Sequence, residues 1–235
     1  MKWNEYRTGV SRGLPVGMGY FSVSFGFGAM AVSQGLRVFD ATLISLTNVT
    51  SAGQFAGLTV IVAAATLVEM VLTQLVINSR YALMSLALSQ RMGQKIGILP
   101  RLLIAFFNTD EIFAVASGRG NLVGKHYMFG LGLTPYLGWT LGTTFGSIAG
   151  NILPQIVTNA LGIAIYGMFI AIIIPVAKRN KAVLGATLVA SLISIIFTFV
   201  PMFKSISSGF VIIISAVVAS GFFAYFFPVK EATHE

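Results

Sequence analysis

The sequence has no cysteine and only two histidines, His126 and His234. Without thiols there is no disulfide framework, no thiolate metal site and no cysteine nucleophile. Two histidines leave too few ligands for a histidine-rich metal centre. Charge is also scarce: Asp, Glu, Lys and Arg make up 9% of the 235 residues, against about 25% in soluble domains. No polar segment is long enough to fold as a separate soluble domain. The phosphate-cradling pattern GxxxxGK[ST] does not occur, so the chain carries no nucleotide motor of its own. Nothing in it calls for a cofactor.

What is present is apolar. Hydrophobic residues form 56% of the chain. Apolar runs near 14–34, 41–65, 67–89, 99–117, 126–150, 158–177, 182–202 and 207–227 are each about the length of a membrane-crossing helix. The expected fold is all-α: one polytopic integral membrane domain over residues 1–235, with eight or seven spans, some broken near mid-membrane. The net charge of +8 sits mostly in the connections, as the positive-inside rule has it, rather than on a nucleic-acid-binding face. With eight crossings, nine Lys and Arg fall on the side of the termini and five on the other. An odd number of crossings over 41–91 would make the split seven to seven. The asymmetry favours eight crossings with both termini cytoplasmic. The basic N-terminus then flanks a retained first span rather than a cleaved signal peptide.

Two places suggest irregular spans. "VAAATLVEMV" (62–71) has no glycine, proline or charge cluster to mark a turn, so 41–91 reads as two ordinary helices or as broken half-helices. "NVTSAGQF" (48–55) puts Asn48, Thr50, Ser51, Gly53 and Gln54 near the middle of a span. Either the helix breaks there and lines a polar cavity, or Ala52 and Gly53 allow close helix packing. A faint repeat also pairs Pro15 with Pro135, Phe25 with Phe145 and Gly26 with Gly146, an offset of 120.

Against this background a few polar groups stand out: Gln54, Glu69, Asn78 with Arg80, and Asp110 with Glu111. Arg80 has roughly ten largely apolar residues on each side and cannot shed its charge, so it needs a carboxylate, carbonyls or water. On one helix it shares a face with Glu69, Thr73 and Val76. Asp110 and Glu111 would point about 100° apart on a helix. One of them then faces a partner such as Arg80, while the other meets solvent or caps the "SGRGN" region. Alternatively both sit at a membrane end, near Arg119.

The motifs "GLPVGMGYFSVSFGFGAMA" (13–31), "SAGQFA" (51–56), "VINSRYALMS" (76–85) and "NTDEIFAV" (108–115) resemble the AzlC family, the large subunits of branched-chain amino acid exporters. Gly53, Gln54, Phe55, Asn78, Arg80, Thr109, Asp110, Glu111 and Phe113 fit the family pattern. Ser51 stands where the family has Phe, the spacing to Gln54 is tighter, and Tyr81 replaces a common His. The resemblance implies efflux of leucine, isoleucine, valine or similar amino acids from a bacterial or archaeal cytoplasm. It also implies a small AzlD-like membrane subunit as partner.

A zwitterionic substrate needs a donor for its carboxylate and an acceptor for its ammonium. The expected substrate-binding residues are Asn48, Gly53, Gln54, Asn78, Arg80 and Asp110. Asp110 and Glu111 are the expected proton-coupling acids, because proton and ammonium would compete for a carboxylate. A non-transporting scaffold subunit and a passive channel remain open. An intramembrane enzyme finds no support, since no nucleophile–base pair or metal ligand set is visible.

Overall fold

Glycine spaced four residues apart decides how the two longest helices meet. The computed structural model describes residues 2–92, 96–119, 122–154, 156–157, 160, 167, 170, 173–178, 180–203 and 205–227. In chain order the helices are α1 (Lys2–Ser33), α2 (Val38–Thr47), α3 (Ala52–Val62), α4 (Leu67–Arg91) and α5 (Ile98–Phe107). They continue as α6 (Asp110–Ser117), α7 (Lys125–Gly150), α8 (Lys181–Phe199) and α9 (Ser208–Phe226). Among the described residues there is no strand, only an isolated bridge between Met92 and Val123. The protein is all-α, as expected. The chain groups into two compact units, Met1–Phe55 with Asn78–Ile165 and Ala56–Ile77 with Tyr166–Glu235.

The first unit is built on α1 and α7. Gly9 lies against Tyr127 and Leu131, Gly17 against Gly138, Gly142 against Phe21, Gly146 against Phe25, and Gly150 against Ala29. A Cβ at Gly142 or Gly146 would overlap the facing backbone, so these positions exclude every larger residue while allowing backbone-to-backbone contact. Residue numbers rise together along both helices, which therefore run parallel. Gly17 meets Gly138 and Phe25 meets Gly146, each 121 positions apart. That is one residue from the offset relating Pro15 to Pro135, each inside its helix.

Two of the expected spans are interrupted. The run 41–65 divides into α2 and α3 at Asn48–Ser51, where Ser51 takes φ 45°. The run 99–117 was expected as one span, and here the expectation needs correction: it parts at Asn108–Thr109 into α5 and α6. The cause is local, since the Thr109 side chain accepts the Ile112 N–H and so starts a new helix. Between α3 and α4 the chain turns without glycine. Ala64 adopts φ 49°, Ala65 N–H bonds to Val60 O at 3.1 Å, and Ala64 N–H bonds to Ile61 O at 2.9 Å. Most of the expected span 158–177 lies outside the described residues.

In the second unit α8 packs on α9, with the Phe223 ring over Gly185. Their outer faces expose Leu188, Leu192, Val218 and Phe222, a surface suited to lipid rather than water. Among the described helices, α1, α4, α8 and α9 are long and apolar enough to cross a membrane. Glu69 is 3% exposed. Its Oε1 accepts the Gly209 N–H at 2.9 Å and the Ser207 hydroxyl. The carboxylate thus caps the N-terminus of α9, where the helix dipole favours negative charge.

Two substitutions test these contacts in detergent unfolding measurements. Gly146→Val forces the α1–α7 seam apart and lowers stability by about 3 kcal/mol. Glu69→Leu strands the Gly209 and Ser207 donors and costs about 2–3 kcal/mol. Glu69→Gln keeps an acceptor oxygen and costs less.

Candidate functional site

In the first unit the two helix breaks are connected through side chains of α1 and α4. At the first break, Asn48 caps the end of α2, and its Oδ1 accepts the Thr50 N–H at 2.9 Å and the Thr50 hydroxyl at 2.6 Å. This local turn holds the chain off the helical path. At the second break, Asn108 and Thr109 are buried, and the Asn108 amide donates to Ser85 Oγ of α4 at 3.1 Å. The Asn108 Oδ1 is buried and has no hydrogen-bond partner among the described residues.

Asp110 and Glu111 occupy the first turn of α6. Free N–H groups and the helix dipole favour carboxylates there, which accounts for two acids placed side by side in an apolar run. Their directions diverge. Asp110 Oδ2 lies 2.7 Å from Arg80 Nη1 in an ion pair, with both side chains a little over 40% exposed. Glu111 Oε2 instead receives the hydroxyl of Tyr20 from α1. The same hydroxyl stands 2.6 Å from Thr109 Oγ1. Arg80 also lies over the Tyr81 ring, 5.0 Å from its centroid, and donates to the Tyr81 hydroxyl at 3.3 Å. That hydroxyl reaches towards Thr50 O at 3.5 Å, back at the first break.

The structure thus brings Arg80, Asp110 and Glu111 together beside the Asn48–Thr50 turn, with Asn78 half-buried two residues before Arg80 on α4. Arg119 does not serve the doublet. It forms a bidentate pair with Glu5 at 2.8 and 2.9 Å and covers the Tyr127 ring. Hydrogen bonding to Glu5 raises the Arg119 pKa, so its charge is fixed.

Gln54 and Gly53 sit differently. Gln54 is 1% exposed. Its Oε1 accepts the Trp139 indole N–H at 2.5 Å and its amide donates to Ser45 Oγ at 3.0 Å, itself 2.7 Å from Thr143 Oγ1. This is a closed network joining α2, α3 and α7, so Gln54 holds Trp139 in place rather than facing the Arg80–Asp110 pair. Gly53 is buried in the first turn of α3. Trp139 in turn meets the Tyr20 ring edge to face at 5.3 Å. Tyr20, Val49 and Trp139 form one small apolar core.

Sequence reasoning did not single out Tyr20 as a site residue. Its only signal was a phenol within an otherwise apolar, glycine-rich span. Thr109 was visible as a motif residue, but not as the cap that splits a span.

The AzlC family model, described as AzlC protein, matches residues 15–153, which include every residue of this cluster. An uncharacterized membrane protein of Archaeoglobus fulgidus is 30% identical over 175 residues, covering 74% of this chain and 76% of its own. Inner membrane protein YgaZ of Escherichia coli is 26% identical over 205 residues, 84% of each chain. An uncharacterized membrane protein of Helicobacter pylori is 29% identical over 137 residues, 57% of this chain and 59% of its own. No solved structure matches. With its family model covering more than half the chain and its relatives membrane proteins, this protein belongs to the AzlC family.

Proposed function

We propose that this protein is the large subunit of a secondary-active exporter of branched-chain amino acids, coupled to protons. In this reading it works with a small AzlD-like membrane subunit. It resides in the cytoplasmic membrane of a prokaryote, with both termini cytoplasmic. Family membership supports a transport role over an enzymatic one, and the name of YgaZ supports the inner membrane.

The observation that carries the proposal is the Arg80–Asp110 ion pair beside two helix breaks. An amino acid zwitterion has the same two charges as that pair. It can insert with its carboxylate on Arg80 and its ammonium on Asp110, replacing one ion pair by two without changing the net charge of the site. Charge conservation matters because an unpaired ion inside the bilayer costs several kcal/mol. Asn48 and Asn78 supply neutral polar contacts at the rim. Gln54 and Gly53 contribute by fixing α3 and Trp139. The Tyr20–Val49–Trp139 core offers an apolar wall for an aliphatic side chain. Backbone interrupted at membrane depth is tolerated where it lines a polar cavity, as transporter half-helices do.

Counterflow of labelled leucine in proteoliposomes, with and without a co-expressed small subunit, tests this reading. Wild-type protein exchanges leucine, isoleucine and valine. Arg80→Ala and Asp110→Asn each lower exchange by about tenfold or more, the worth of one charged hydrogen bond. Absence of counterflow in the wild type with its partner would indicate a non-transporting scaffold.

A further inference from the structure

We propose that the acidic doublet divides its work: Asp110 serves the substrate's charges through Arg80, and Glu111 carries the coupling proton, with Tyr20 as its positioning residue. This rests on the exporter reading above and deepens it.

Three observations lead here. First, Asp110 is committed to a cation at 2.7 Å. Protonating it would leave an arginine that cannot neutralise itself, so in the empty site Asp110 stays ionised. Second, Glu111 has no Lys, Arg or His within 4.0 Å among the described residues. Its partner is the neutral Tyr20 phenol, so a proton can arrive or leave without breaking an ion pair.

Third, the Tyr20 hydroxyl stands between two oxygens, Glu111 Oε2 and Thr109 Oγ1. A phenol can both donate and accept, and its single proton reaches one of the two at a time. With Glu111 ionised, the phenolic proton points to the carboxylate. With Glu111 protonated, the acid donates to the phenol oxygen and the phenolic proton turns to Thr109 Oγ1. Both charge states are hydrogen-bonded without any heavy atom moving, so neither one strands a donor or an acceptor.

The titratable and charged groups around Glu111 are consistent with this role. They are Tyr20 from α1, Arg80 and Tyr81 from α4, and Asp110 on its own helix. Tyr20 is 9% exposed and its ring is fixed edge-on against Trp139. The phenol therefore stays aimed at the carboxylate. The proton is neither consumed nor produced: it loads on Glu111 Oε2 from one face of the membrane and leaves to the other.

Two measurements on the full-length protein test the assignment. In proteoliposomes with the co-expressed small subunit, leucine counterflow at equal pH is compared with accumulation driven by an imposed pH gradient. Glu111→Gln abolishes gradient-driven accumulation and lowers counterflow less than Asp110→Asn, which loses both. Tyr20→Phe lowers gradient-driven accumulation about tenfold relative to counterflow, the scale of one hydrogen bond to a charged group. Independently of transport, pH-difference infrared spectra of the purified protein show a carboxylic acid band that is lost in Glu111→Gln and kept in Asp110→Asn. The division of labour is overturned if Glu111→Gln keeps the gradient response, if the infrared band persists in it, or if wild-type counterflow ignores the gradient. If wild-type protein shows no counterflow at all, the exporter reading falls, whatever the infrared band does.

Discussion

A carboxylate in an apolar protein must find a cation, an N–H group or a proton donor, and that requirement organises this molecule. Five of the seven acidic residues lie in the described part of the chain, and each has its answer. Glu5 takes Arg119, Asp40 takes Arg37, Glu69 takes the Gly209 N–H at the start of α9, Asp110 takes Arg80, and Glu111 takes the Tyr20 phenol. All five stand near a helix N-terminus, at the start of α1, α2, α4 or α6, with Asp110 and Glu111 sharing the last. Glu69 also has a hydroxyl partner, but it is held by the Gly209 N–H as well, whereas the phenol of Tyr20, whose donor and acceptor roles can exchange, is the partner of Glu111. That difference, rather than position alone, separates it from the structural acids.

The α1–α7 seam is what makes the Tyr20 contact available. Glycines spaced by four let the two backbones touch, so Tyr20 on α1 lies close enough to Trp139 on α7 to lock its ring. Trp139 is held from behind by Gln54. The chain of contacts runs from the buried Gln54 network through Trp139 and Tyr20 to Glu111. A site on two helix breaks would be soft by itself, since each break gives up helical hydrogen bonds. The close-packed helix pair supplies the stiffness.

Much of this was legible in the sequence, and the rest was hidden for identifiable reasons. Helix content and the meeting of Arg80 with an acid followed from apolar length and the cost of burying charge, and the break near Asn48 is one of the two readings that the polar residues of 48–55 allowed. The break at Asn108–Thr109 was not foreseen, because hydropathy averages over a window longer than a single cap residue. Thr109 ends a span through one hydrogen bond. The α3–α4 turn has Ala64 where glycine would have announced it, whereas α1 ends at Gly35 with φ 97°. The surroundings of Gln54 were not legible because a polar residue in an apolar run has two solutions, a cavity or a closed network. Only the positions of Ser45, Thr143 and Trp139, far away in sequence, choose between them. Tyr20 was overlooked for the converse reason: a phenol raises no alarm in an apolar span until its hydroxyl is seen beside a carboxylate.

Adjacency of the two acids now has a physical meaning. On one helical turn, neighbours point about 100° apart, so Asp110 can face α4 while Glu111 faces α1. They still lie close enough for each to feel the other's charge. In the proposed assignment the substrate's ammonium meets Asp110 and the proton meets Glu111, so the two cargoes do not compete for one oxygen. A single shared acid would couple them more rigidly, but it would have to leave Arg80 unpaired in its protonated state. In the proposed assignment the doublet avoids that cost, because the acid that gains the proton is not the acid that neutralises the arginine.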